Sequence, residues 1–165
     1  MRRLAVMATA AVVLLSVPTT AEVPVPFAST APFQEAPPPP AGKVLVYIYR
    51  DPGIAFAVRN AAFYLDDKQF VDLLPSDYTY IYVTAGHHEI KQKWPFWPGD
   101  FWLAFKKIEY PVDFVEGQTY YYRFATGVEP GALDWALNPV SPDDGKTALA
   151  AKHLQTPDPK VADGL

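Results

Sequence analysis

The stretch 76–90, S-D-Y-T-Y-I-Y-V-T-A-G-H-H-E-I, constrains this chain more than any other. From Tyr78 to Val83 the side chains alternate without a break. Tyr78, Tyr80 and Tyr82 fall on one face; Thr79, Ile81 and Val83 fall on the other. A period of two marks a strand, because successive side chains leave opposite faces of the pleat. Gly86 then supplies the backbone freedom of a tight turn, and residues 87–93 read as a return strand. Residues 113–124, D-F-V-E-G-Q-T-Y-Y-Y-R-F, repeat the design: an apolar run, an x-Gly turn, an aromatic-rich strand. Two such units predict an all-β domain.

The neighbouring segments fit the same plan. Residues 43–50, K-V-L-V-Y-I-Y-R, are apolar on both faces and read as a central strand. Asp51-Pro52-Gly53 ends it. Residues 60–66 and 69–74 read as strands joined by a tight turn at Asp66-Asp67-Lys68. Residues 106–115 form a strand that Pro111 confines to an edge or a bulge. In residues 118–126, Tyr120, Tyr122 and Phe124 face one way, so Tyr120 and Tyr122 are expected to share a face with Tyr78, Tyr80 and Tyr82. Residues 133–140 supply a last strand. Ser141 is an N-cap, Pro142 opens a helix, and Asp143 and Asp144 suit its first turn. That helix is expected to run to about residue 154, offering Leu149 to the sheet. The expected fold is an antiparallel β-sandwich of about seven strands with a short C-terminal helix, over residues 43–154. Residues 155–165 are polar and proline-broken and read as a disordered, frayed tail.

The N-terminus reads as a targeting segment. Arg2 and Arg3 precede an apolar run at 4–15, and V-P-T-T-A offers small residues before a cut after Ala21. The run is short of the ~20 residues that span a bilayer, so 1–21 is expected as a signal peptide, with an uncleaved anchor as the other reading. Residues 22–42 form a proline-rich linker, extended and semi-rigid, with Pro37, Pro38, Pro39 and Pro40 in a row. The chain has no Cys, so packing rather than disulfides must hold it, and Glu22 stands where a lipoprotein would need a thiol. A periplasmic or secreted protein follows, not a lipoprotein, with no transmembrane span after signal removal. The formal net charge of −4 gives no footprint for nucleic acid.

Four pieces of sequence carry a resemblance: V-Y-I-Y-R at 46–50, F-Y-L-D-D-K at 63–68, Y-x-Y-x-x-V-x-A-G-x-H-x-I at 78–90, and V-E-G-Q-T-Y-Y-Y at 115–122. They resemble a functionally uncharacterised family of bacterial cell-envelope domains, many of them lipoproteins. The segment 65–90 is also similar to PEGA-type β-sandwich modules. The resemblance implies a β-sandwich at the cell envelope and brings no catalytic residues. This chain departs from it in lacking the lipidation cysteine and in carrying an aromatic stretch at 94–105.

Catalytic and metal-binding patterns are thin. His87 and His88 are neighbours on a strand, so they point apart and cannot share one ion; His88 reads as turn structure. Asp66, Asp67 and Asp72, and Asp143 with Asp144, are acids of turns and of a helix start. No nucleophile elbow or phosphate loop is present. The chain is therefore expected to be a non-enzyme with no cofactor and no metal. The binding candidate is W-P-F-W-P-G-D-F-W-L-A-F at 94–105, which places Trp94, Phe96, Trp97, Phe101 and Trp102 close together. So apolar a stretch either closes an open sheet end and completes the core, or presents a surface to a protein, a glycan ring or a membrane interface. The expected function is an exported, non-catalytic module binding a protein or glycan of the cell envelope. The alternative is a structural or oligomeric envelope subunit with these aromatics at a permanent interface.

Overall fold

Nine strands and two short helices divide into two stacked sheets among the described residues of a computed structural model, which are 33–53, 56–95, 107–129, 132–162 and 165. The strands are β1 (Lys43–Arg50), β2 (Ala61–Leu65), β3 (Lys68–Leu73), β4 (Asp77–Thr84), β5 (Gly86–Lys93), β6 (Ile108–Phe114), β7 (Thr119–Glu129), β8 (Ala132–Val140) and β9 (His153–Leu154). The helices are α1 (Pro142–Leu149) and α2 (Pro159–Ala162). One sheet has the order β8-β7-β1-β4-β9, the other β3-β2-β5-β6. The fold is an all-β sandwich with a short helix toward the C-terminus, as the strand periodicity implies. Most pairings are antiparallel, but β1 pairs with β7, and β4 with β9, in parallel.

The core lies between the sheets. Val44, Val46 and Ile48 of β1 meet Phe63 and Leu65 of β2, with Ile81, Val83, Ile90 and Phe124 around them. Each such side chain stabilises by ~1.5–3 kcal/mol on full burial. β1 sits at the centre of its sheet with residues 44–50 all buried, as expected from its two apolar faces. β6 is an edge strand, which accommodates Pro111.

The tight turns fall into two kinds. Asp66 and Asp67 both have positive φ, 48° and 68°, and join β2 to β3 as a two-residue hairpin of the twist-matched kind. The turn at 85–86 does something else. It was expected to make a hairpin, but β4 pairs with β1 and β9 while β5 pairs with β2 and β6. The chain crosses there from one sheet to the other. Residues 115–118 make the same crossing between β6 and β7. The reason is burial: β4 and β5 each have one apolar face, and placing them in facing sheets turns both faces inward. The two crossings meet at one end of the sandwich. Ala85 N–H donates to Gly42 C=O at 3.0 Å, and Gly117 N–H to Lys43 C=O at 2.9 Å. Gly86 and Gly117 have φ of 129° and 77°, a region costly to residues with a Cβ.

The outer face of the five-stranded sheet also differs from expectation. Tyr78, Tyr80 and Tyr82 share it with Tyr47, Tyr49 and Tyr121 rather than with Tyr120 and Tyr122. The parallel β1–β7 register places Tyr121 beside Tyr47, which turns Tyr120 and Tyr122 to the core side. Residues 33–40, expected as free linker, lie extended on this face: Phe33 and Ala36 join the tyrosine cluster. Three phenyl or phenol rings meet there edge to face or nearly so, and apolar surface offered by a sheet is covered by whatever the chain has nearby.

α1 begins as the sequence predicts, with Ser141 Oγ accepting from Asp144 N–H at 3.2 Å. It ends at Leu149 instead of about residue 154, because the next residues are drawn elsewhere. Lys152 Nζ donates to Arg50 C=O at 3.0 Å and meets Asp51 Oδ1 at 3.1 Å, and residues 153–154 then pair with the free edge of β4. The expected tail is likewise built into the fold. Gln155 N–H donates to Tyr78 C=O at 2.8 Å, its side chain bridges Leu74 N–H and Asp72 C=O, and Asp158 N–H donates to Phe70 C=O at 2.9 Å. Residues 153–158 thereby tie an edge of one sheet to an edge of the other, satisfying backbone groups that open edges leave bare. No helix among the described residues is long and apolar enough to cross a membrane.

Gly145 fixes α1 against the tyrosine face. A Cβ there would stand 2.5 Å from Tyr121 Cδ1, and Tyr121 is itself stacked on Tyr47 at 5.0 Å between centroids. Gly→Ala in a helix ordinarily gains ~1 kcal/mol; here overpacking outweighs that gain. Gly145→Ala is expected to lose ~1–3 kcal/mol in urea unfolding. A gain in stability would show that α1 can move off the sheet.

Candidate functional site

The sandwich end opposite the two crossings is built around one buried cation. Arg50 closes β1 with a relative exposure of 1%. Its guanidinium donates to three backbone carbonyls: Nη1 to Arg59 and to Leu73 (the latter at 3.2 Å), and Nη2 to Phe56 at 2.7 Å. No carboxylate pairs with it among the described residues. Its charge lies instead against aromatic faces, with Cζ 5.4 Å from the Trp94 centroid and 5.8 Å from that of Phe124. Burial lowers its pKa to about 10, which leaves it protonated at neutral pH.

Trp94 sits at the exit of β5, held by three rings as well as by Arg50. It stacks on Phe56 at 4.2 Å, meets Trp135 edge-on at 5.7 Å, and lies 5.8 Å from Phe124. The next residue is pinned too: Arg59 Nη2 donates to Pro95 C=O at 3.2 Å. Of the five residues singled out in the aromatic stretch, Trp94 is half-buried against the core and roots the segment. Phe96, Trp97, Phe101 and Trp102 lie outside the described residues. Sequence reasoning missed Arg50, Phe56, Arg59 and Trp135 as the footing of this segment. The available signal was a charged residue closing an otherwise apolar central strand.

The histidines near the other end are each engaged with a carboxylate. His88 Nδ1 meets Asp66 Oδ2 at 2.5 Å and Nε2 meets Thr84 C=O at 2.9 Å, while Asp66 Oδ1 accepts from Glu89 N–H at 2.9 Å. His87 pairs separately with Asp113 at 2.9 Å. The three contacts of His88 and Asp66 tie the β2–β3 hairpin to the crossing at 85–86. Burial raises the Asp66 carboxyl, but the hydrogen bonds from His88 and the Glu89 amide outweigh it and hold the group below its usual range. Asp67 is lowered by its hydrogen bond to Lys91. Asp72 and Asp77 shift the other way through burial. Among the described residues no three His, Cys, Asp or Glu side chains gather at metal-ligand spacing.

The tyrosine face is the second candidate surface. Tyr47 is its centre, stacked with Tyr121 and 5.7 Å from Tyr80, which in turn meets Tyr82 at 6.0 Å. Burial pushes the Tyr47 phenol up to about 12. Tyr47 Oη accepts from Ala36 N–H and Tyr82 Oη donates to Pro37 C=O, both at 2.8 Å. Scanned against protein-family models and searched among curated proteins, the chain finds no match.

Two outcomes follow. Arg50→Met keeps the apolar stem but strands the carbonyls of Phe56, Arg59 and Leu73. It is expected to cost ~3 kcal/mol in urea unfolding, with a red shift of tryptophan emission as the Trp94 footing loosens. Asp66→Asn keeps a side chain that tolerates positive φ but removes the charge. An acid whose folded pKa is depressed contributes stability above its unfolded pKa, ~3.9, and loses it as pH falls through the folded value. The wild type is therefore expected to be more stable than Asp66→Asn at pH 7, with the gap closing below about pH 4. Because Asp66 is partly exposed, screening keeps that gap small.

Proposed function

We propose that the chain is an exported, non-catalytic β-sandwich module that binds a protein or glycan of the bacterial cell envelope through the aromatic segment rooted at Trp94. One observation carries this reading: the footing of that segment is over-determined. Arg50 gathers three carbonyls beneath it, Arg59 holds Pro95, and Trp94 is locked among Phe56, Phe124 and Trp135. Recognition segments work best when a fixed scaffold presents them, since less freedom is lost on binding. Tryptophan and phenylalanine suit that task because their flat faces stack on sugar rings and on partner side chains at low entropic cost. The basic and apolar N-terminal pattern at 1–21 and the envelope-domain motifs at 46–50, 63–68, 78–90 and 115–122 support the compartment.

The test uses purified peptidoglycan sacculi in a co-sedimentation assay, with wild type and the double variant Trp97→Ala/Trp102→Ala. Wild type is expected in the pellet and the variant in the supernatant, with both proteins shown to be folded by near-ultraviolet circular dichroism. Equal retention of both proteins removes the aromatic segment from the reading. If neither is retained, the glycan is removed as the ligand.

A further inference from the structure

Residues 33–40 occupy the tyrosine face in the way one molecule occupies another. The segment forms no strand or helix. Pro37, Pro38, Pro39 and Pro40 fix φ near the polyproline II value and remove four N–H donors. A chain in that conformation has no internal hydrogen bonds, so its carbonyls are free for an outside donor. Here the donor is Tyr82 Oη, which reaches Pro37 C=O, while the Ala36 amide just before the prolines donates to Tyr47 Oη. Phe33 sets its ring edge-on against Tyr47 at 6.0 Å and Tyr78 at 5.6 Å. Glu35 meets Lys146 of α1 at 2.9 Å. Rows of aromatics with hydroxyls aimed at carbonyls are how proline-rich segments are recognised in general.

We propose that the outer face around Tyr47, Tyr80 and Tyr82 is a proline-peptide groove, closed in this chain by its own residues 33–40 and opened to a proline-rich segment of a partner protein. Two features favour a partner over the resident segment as the full ligand. The resident segment leaves part of the groove empty: beside Tyr80 and Tyr82 a hollow of about 260 Å³ continues between Leu154, Pro157, Pro159 and Ala162. Its hold is also local and light. The Glu35–Lys146 pair is half-exposed on both sides, the class of ion pair that contributes little. Lys146 further sets the preferred ligand: an aromatic residue and then an acidic one ahead of the prolines, as Phe33 and Glu35 stand here.

The probe is a fluorescein-labelled peptide of residues 31–42, followed by anisotropy against the whole chain. The receptor variants are Phe33→Ser/Glu35→Lys, which loosens the resident segment, and Glu35→Lys alone, which keeps the Phe33 ring. A closed groove lowers apparent affinity in proportion to the fraction that is closed. The double variant is therefore expected to bind at least about tenfold more tightly than wild type, and Glu35→Lys alone to bind more tightly by a smaller factor. Adding Tyr82→Phe is expected to weaken that binding, as is replacing the four prolines of the peptide by serine. The proposal is overturned if Glu35→Lys, folded by near-ultraviolet circular dichroism, shows no saturable binding. It is overturned equally if the serine peptide binds as well as the proline peptide. Concentration-dependent dimerisation of wild type would also overturn it, by making the groove a site of segment exchange between copies.

Discussion

β1 buries both of its faces, and the rest of the molecule follows from that. Its inward residues, Val44, Val46 and Ile48, are satisfied by the opposing sheet. Its outward residues, Leu45, Tyr47 and Tyr49, are equally buried, yet no third sheet among the described residues covers them. A sandwich of two antiparallel sheets ordinarily turns that outer face to water. Here the cover is assembled from leftovers: the proline-rich segment on one side, α1 with Leu149 on the other, and the tyrosines of β4 and β7 as lateral walls. Tyrosine suits such a cover because its ring packs while its hydroxyl finds a partner. The Ala36 amide and the Pro37 carbonyl supply those partners.

The same strand also explains the buried guanidinium. β1 must stop where the connection to β2 leaves the sheet, and loop carbonyls at that point have no ladder to enter. Arg50 collects two of them from the turn at 56–59 and adds the carbonyl that ends β3 at 73. A planar, forked donor set does this better than a point charge. The rings of Trp94 and Phe124 beside the guanidinium take the place of the counter-ion that a buried charge otherwise demands. One side chain therefore ends the central strand, orders the loop after it and props the exit of β5.

Period-two alternation and turn chemistry were legible because they are local. The strands β1 to β8, the Asp66-Asp67 hairpin, the Ser141 cap and the edge position of the Pro111 strand could all be read from neighbours in sequence, whereas β9 lies where a helix was expected. What failed was everything decided by pairing at a distance. Gly86 fits a hairpin turn and a corner between sheets equally well, and only the partners of β4 and β5 distinguish the two. Tyr120, Tyr121 and Tyr122 form a run with no polar member, so the face given to Tyr121 depends on the register with β1. Residues 155–162 look frayed because they are polar and proline-broken, but two sheet edges need exactly such backbone donors, and Gln155 and Asp158 supply them. At the aromatic end the segment itself was legible from composition, whereas its footing was not: Arg50, Phe56, Trp94 and Trp135 are far apart in sequence.

The two aromatic surfaces are joined by a continuous path of contacts, which invites the idea that they communicate. Glu35 meets Lys146 at one point of α1, Lys152 just beyond α1 holds the Arg50 carbonyl and Asp51, and the Arg50 side chain supports Trp94. Contiguity alone transmits nothing, because coupling needs an element with two discrete positions. On this path α1 carries Lys146, and its seat is fixed by a side chain it lacks. Gly145 lets the helix backbone rest on the Tyr121 ring, and that ring is stacked flat on Tyr47 in the middle of β1. The seat of α1 therefore rests on Gly145 and on the fully buried Leu149, and not on the half-exposed pair between Glu35 and Lys146.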